Sequence, residues 1–234
     1  MNINHNIFTD NNVGICVLLG GNLSARISEN SVSRNGKYGV VLLSNGGNLI
    51  ATLSDNIASN NRMAGIGLVS LGDGDISATL SGNDVSLNRV GWPGPVNKDG
   101  GILLHSMGGN IVATLSDNSS TGNLIDGIAI VTDVGSTTVT LTGNTATGNT
   151  GAGINLDTDS GAPGSDINLG NDSAGTGGNN SLYGNSGFDL VNDSGIDNLL
   201  AENNWWGADH DPVAFGQIGG ANSVDCNPWL HLQP

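Results

Sequence analysis

The stretch GAGINLDTDS, Gly151–Ser160, carries the repeat from which the fold is read. Five earlier segments share its start: GICVLLG from Gly14, GVVLLSN from Gly39, GIGLVSL from Gly65, GILLHSM from Gly101 and GIAIVTD from Gly127. Alternate positions stay aliphatic in every copy, while the positions between them turn from aliphatic to acidic along the chain. Such alternation is the period of a β-strand with one face in and one face out.

Asparagine sets the register. The pair Asn-x4-Asn recurs as Asn6/Asn11, Asn30/Asn35, Asn56/Asn61, Asn83/Asn88, Asn118/Asn123, Asn144/Asn149 and Asn180/Asn185, with first members 24, 26, 27, 35, 26 and 36 residues apart. Periods in this range signal a solenoid. Each unit has three short β-like runs: one after the Gly-Ile step, one of the NLIATLS type from Asn48, Asp75, Asn110 and Ser136, and a short piece between the two asparagines. Three strands cannot close a core alone, but stacked units bury one another's inner faces. The first-strand inner columns are expected to read Ile15, Val40, Ile66, Ile102, Ile128, Ile154, Phe188 and Val17, Leu42, Leu68, Leu104, Ile130, Leu156, Leu190. The second-strand columns read Ala25, Ala51, Ala78, Ala113, Val139 and Ile27, Leu53, Leu80, Leu115, Leu141. Stacked asparagines are expected at the turns, bonding to one another and to backbone groups left unpaired by the bend.

Composition agrees. The 234 residues include 38 Gly and only 6 Pro, with Asn and Ser for turns and Val, Ile and Thr for strands. The net charge of -15 is uneven, since all six basic residues lie at or before Lys98 and residues 1–98 sum to zero. The acidic remainder, without Lys or Arg, argues against a phosphate-backbone partner and is compatible with divalent cations or plain solubility. Cys16 and Cys226 are read as free thiols, with a bridge as the alternative. No apolar run is long enough to cross a membrane, and no signal peptide opens the chain, which is expected to be a fragment of a longer precursor.

The N-x4-N…G-I-x-L pattern resembles the right-handed parallel β-helix repeats of the pectate-lyase-like superfamily. The end, Asn203-Asn204-Trp205-Trp206-Gly207, then Asp211-Pro212 and Asp225-Cys226-Asn227-Pro228-Trp229-Leu230, is similar to the closing segment of many extracellular bacterial proteins of that kind. The resemblance implies an all-β, right-handed parallel β-helix of about seven coils over residues 1–200. A Trp-rich closing segment, 201–234, would pack on the last coil. It also implies an extracellular or cell-surface protein whose cleft runs along the first-strand sheet. It carries over no catalytic motif, and the basic residue many of the lyases use as base has no counterpart beyond Lys98.

Function is sought on the outward faces. The first-strand outer columns are expected to read Cys16, Val41, Gly67, Leu103, Ala129, Asn155, Asp189; then Leu18, Leu43, Val69, His105, Val131, Asp157, Val191; then Gly20, Asn45, Leu71, Met107, Asp133, Asp159, Asp193. Column neighbours stand about 4.8 Å apart, so His105 and the aspartates gather in one patch. Diagonal carboxylates on this grid are roughly 8 Å apart at the backbone, room for the water of an inverting glycosidase. The expectation is a carbohydrate-directed protein, with hydrolysis favoured over β-elimination. Asp133 and Asp157 would be acid and base, His105 would assist, and Asn155 and Asp189 would contact substrate. Asp159 and Asp193 would tune the acids or hold calcium, the cation suited to oxygen-only ligands. The insertion between Arg89 and Asp99 would bring Trp92 to stack on a sugar and Lys98 to neutralise an acid.

The competing class is a non-catalytic adhesin or scaffold, expected to form a homo-oligomer or to contact a larger parent chain through the outward apolar set Leu18, Val41, Leu43, Val69, Leu71, Leu103 and Met107. The Thr-x-Ser steps of the second strand, such as Thr52-x-Ser54 and Thr79-x-Ser81, recur like the ladders of ice-binding solenoids. Thr and Ser are also ordinary exposed strand residues, the preferred account.

Overall fold

The computed structural model describes residues 1–89, 100–158, 165–171, 173–208, 211–231 and 233–234. The chain winds as a parallel β-solenoid of about eight turns, and the described residues hold strands and turns but no helix. The first-strand sheet stacks eight strands, from Ile15–Leu19 through Gly100–Ser106 and Asp126–Thr132 to Ile218–Gly219. The second-strand sheet runs from Asn2–Asn4 to Val224–Asp225, and three-residue third strands such as Ser119–Thr121 form two shorter stacks, joined in the coil between them by the bridge residue Ile57. An antiparallel pairing of Thr176–Gly177 with Asp166–Asn171 is a local exception. The count exceeds the expected seven because the closing segment, which lacks an asparagine pair, still adds Ile218–Gly219 and Val224–Asp225 to the sheets.

The inner columns stack as the alternation requires. Ala25, Ala51, Ala78, Ala113, Val139 and Ile167 pair in unbroken register, as do Ile27, Leu53, Leu80, Leu115 and Leu141. All are buried, in one core continuous from Ile15 to Trp206. The register departs from expectation in one coil. Ile154 pairs with Leu190 and Leu156 with Asn192, two residues later than the Gly-Phe step predicts. Phe188, expected in the core, is 44% exposed, and Asn192 takes the inward place.

Two asparagine ladders fix the corners. Asn83 donates from both N (3.1 Å) and Nδ2 (2.8 Å) to Asn118 Oδ1, and Asn118 does the same to Asn144 Oδ1 at 3.1 and 2.9 Å. The Asn118 Nδ2 also donates back to Leu80 O at 3.0 Å, a carbonyl that the bend removes from strand pairing. The pattern runs from Asn6 to Asn204 on one corner and from Asn11 to Asn185 on the other. The residue before each ladder asparagine has left-handed backbone, with φ of 55° at Asp117 and 63° at Gly122. The left-handed step turns the chain and aims the next side chain inward. Asn, Asp and Gly adopt it readily, while Glu29 at φ 55°, Arg34 at φ 54° and Leu87 at φ 57° are held there by the fold, as is His5.

A third buried column, which the sequence reading missed, lies where the first strand turns into the second. Ser44, Ser70, Ser106 and Thr132 stack in register. Ser70 Oγ donates to Gly74 O at 2.6 Å and Ser106 Oγ to Gly109 O at 2.8 Å. At the far end Trp206 is buried and Trp229 packs on the same core, so the Trp-rich segment covers the last coil.

Cys16 is exposed and Cys226 buried, both as free thiols. Burial first, then the Asp211 and Asp225 carboxylates, push the Cys226 thiol up to about 12. A raised thiol pKa favours the fold below the unfolded value of about 8.5, and this contribution is lost as pH rises from there toward the folded value. At pH 8 a thiol reagent should therefore label Cys16 in the folded chain and Cys226 only after unfolding; equal labelling rates would contradict the placement. A second test concerns the ladder. Asn118→Ala should destabilise by about 2–4 kcal/mol in denaturant unfolding, because the buried Asn83 donors lose their acceptor. Asn6→Ala, at the exposed end, should cost under about 1 kcal/mol.

Candidate functional site

The outward face of the first-strand sheet is not the open surface expected. Val69, Leu103, Ala129 and Val131 form a second buried cluster on the outside of the coil, with Leu43 and Leu71 packed at its edge. Val41 is buried as well, Met107 is half-buried, and Leu18 alone of the expected apolar set is well exposed, at 66%. In coils two to five this face therefore offers no broad greasy patch.

His105 lies within this apolar layer, in register with Val69 and Val131. It is 4% exposed, and its Nε2 lies 3.2 Å from Asp133 Oδ2. Asp133 follows the next strand, where the chain turns toward solvent, and its side chain is 43% exposed. The strand ends place them: His105 is one residue from the end of Gly100–Ser106, and Asp133 directly follows Asp126–Thr132. The hydrogen bond spans adjacent coils and fixes one carboxylate oxygen of Asp133. One side chain is thus sheltered and the other presented to solvent.

Asp157 is half-buried, one coil on, opposite Val131 and so diagonal to Asp133. Asp193 pairs directly with Asp157 in the following coil, not with Asp159 as the shifted register implied. Its Oδ1 accepts Ala221 N at 2.7 Å. Thus His105, Asp133, Asp157 and Asp193 line the edge where the first strands end.

Two expected site residues lie elsewhere. Asn155 is half-buried and donates from Nδ2 to Asp126 Oδ2 at 2.8 Å, while Asp126 Oδ1 accepts Ala152 N at 2.7 Å. Asp189 points inward, 4% exposed, and ends the second asparagine ladder. Its Oδ1 accepts Asn185 Nδ2 at 2.7 Å and N at 3.2 Å, and its Oδ2 accepts Gln217 Nε2 at 2.6 Å. It stands where the next asparagine amide would, and so belongs to the scaffold. Trp92, Lys98 and Asp159 lie outside the described residues. Among the described residues no three His, Cys, Asp or Glu side chains converge on one point.

Asp189→Asn keeps an acceptor for Asn185 and should retain the wild-type melting temperature within a few degrees. Asp189→Ala leaves a buried donor pair unmet and should cost about 2–3 kcal/mol. Equal stability of the two variants would remove Asp189 from the ladder.

Among known families, the model described as right handed beta helix region matches residues 1–114. Comparison with curated proteins and with solved structures finds no match. The matched span ends inside the strand Ile111–Ser116, yet the same three sheets and both asparagine ladders continue unbroken beyond it. The chain is a parallel β-solenoid repeat protein, similar over residues 1–114 to the right-handed β-helix family.

Proposed function

We propose that the chain acts on carbohydrate outside the cell, as a hydrolase whose working groups are Asp133 and Asp157 at the strand-end edge of the first-strand sheet. The observation that carries this reading is the pairing of a buried imidazole with a presented carboxylate, His105 Nε2 to Asp133 Oδ2 at 3.2 Å. A solvent-facing aspartate gains nothing in stability from such a partner that a surface lysine would not supply. A held carboxylate, by contrast, keeps one oxygen aimed at a fixed point.

The chemistry follows from the grid. Asp133 and Asp157 are diagonal neighbours, roughly 8 Å apart at the backbone. That separation places a sugar and a water between two carboxyl groups, the arrangement of an inverting glycosidase. Asp133, oriented by His105, takes the proton of the attacking water. Asp157 supplies a proton to the departing glycosidic oxygen. His105 is a positioning residue, since the apolar layer around it keeps it from substrate. Asp193 pairs with Asp157 one coil on and continues the acidic edge. A lyase reading is weaker, because the Lys or Arg that would draw off a sugar carboxylate's charge is absent from this edge among the described residues.

The test is hydrolysis across a panel of neutral and acidic polysaccharides. Asp133→Asn and Asp157→Asn should each lower kcat by about 10²-fold or more, with unchanged melting temperature, and the product should form with inverted anomeric configuration. His105→Ala should lower kcat less and alter the pH profile of the rate. Hydrolysis that survives both aspartate variants would overturn the assignment. Polysaccharide binding without turnover would favour the non-catalytic scaffold class.

A further inference from the structure

An asparagine followed by glycine is a reactive step in a polypeptide. The glycine amide nitrogen can attack the asparagine side-chain carbonyl carbon, because glycine has no Cβ to hinder the approach. The sequence holds two such steps, Asn35-Gly36 and Asn45-Gly46, and the fold treats them in opposite ways. Asn35 belongs to the second asparagine ladder and is 2% exposed. Its Nδ2 donates to Phe8 O at 3.1 Å and to Asn61 Oδ1 at 2.9 Å, and its Oδ1 accepts Asn11 N at 3.1 Å. Gly36 N in turn donates to Asn11 O at 2.7 Å. Ring closure there would turn the carboxamide away from all of these partners, so it requires opening of the corner.

Asn45 is exposed, at the end of the strand Val40–Asn45. Among the described residues its side chain has no hydrogen-bond partner. Gly46 follows with a left-handed φ of 78°, and nothing lies within 4 Å of the place where a Cβ would stand on it. One restraint remains. Gly46 N donates to Leu71 O at 2.8 Å, one residue past the last strand pair, Asn45 with Leu71. A bond at a strand end opens by fraying, more readily than a buried ladder corner.

We propose that Asn45 is a site of spontaneous modification, converting through a cyclic imide to aspartate and isoaspartate. When the bond to Leu71 opens, Gly46 N attacks Asn45 Cγ and gives up its proton. The N–Cγ bond forms, the Cγ–Nδ2 bond breaks, and ammonia leaves. Water then opens the five-membered imide. Cleavage between N and Cγ gives ordinary aspartate. Cleavage between N and the main-chain carbonyl carbon gives isoaspartate, whose backbone runs through the side chain and is one carbon longer. That extra carbon falls between Ser44 and Gly47. Ser44 is fully buried, and its Oγ lies 2.8 Å from Gly21 O and 2.5 Å from Gly47 O. A longer turn carries Gly47 O away from that hydroxyl, so the isoaspartate form loosens the buried serine column in this coil. Either product also adds a carboxylate to the edge where the first strands end.

The experiment is ageing of the intact folded chain at pH 8, beside a sample kept unfolded in urea. Peptide mapping by mass spectrometry follows both steps, with chromatography that separates aspartyl from isoaspartyl peptides. In the folded chain Asn45 should convert at least about tenfold faster than Asn35, while in the unfolded chain the two should convert at similar rates. Asn45→Gln should abolish conversion at this position at unchanged melting temperature, since the longer side chain closes its larger ring slowly. The purified isoaspartate form should melt a few degrees below the fresh chain. Conversion of Asn45 no faster than that of Asn35 in the folded chain would overturn the proposal. An isoaspartate form as stable as the fresh chain would overturn its consequence for the turn.

Discussion

The structure depends on the asparagine side chain at its corners. A coil bend removes backbone carbonyls from the sheets, and a buried carbonyl without a donor is costly. Asparagine offers an acceptor to the preceding coil's amide and side chain, while its own NH2 serves both that orphan carbonyl and the following coil. No other side chain of that length supplies both functions without a charge. Each bond in the ladder polarises the next, so the ladder favours a single register over slipped ones. The left-handed residue before each asparagine is the backbone half of the same device. Once the corners are fixed, period-two alternation decides which side chains pack and which face out.

Because register is fixed inside, the outside is free to vary. The first-strand face in the middle coils uses that freedom to build a second, smaller apolar layer around Leu103 and Val131. His105 is held in this layer, and its imidazole reaches Asp133 at the rim. The sheet's two edges then diverge in charge. Cations collect where the early strands begin, at Lys37, Arg62 and Arg89, and carboxylates where the later strands end, at Asp133, Asp157 and Asp193.

Much of this was legible in the sequence because the constraint is local and periodic. The Asn-x4-Asn pairs and the Gly-Ile steps define coils, and alternation defines the core columns through Ile154. The error in the last full coil is instructive. The Gly187-Phe188 step resembles the earlier Gly-Ile steps, but the inward residue follows the second ladder asparagine by five positions at Val40, Ile66, Ile128 and Ile154. Applied to Asn185, that rule gives Leu190, the residue found there. Reading the register from glycine and not asparagine placed Asp189 and Asp193 two positions out, turning a ladder cap into an expected substrate contact. The Ser44, Ser70 and Ser106 column was invisible for another reason: a hydroxyl reads as an exposed strand residue, and only the turn geometry shows that it satisfies a buried carbonyl. Burial of Leu103 and His105 on the outer face depends on tertiary covering, which alternation does not encode.

The most direct measurement is residue-resolved hydrogen exchange on the folded chain. Backbone amides of Asn56, Asn83, Asn118 and Asn144 sit at chain bends, where exchange is ordinarily fast, yet each donates to the side chain of the next coil. They should exchange as slowly as the amides of the central strands, protected by opening of the whole coil. Exchange at the rate of exposed turns would show that the ladder does not set the register, and the placement of both edges would fall with it.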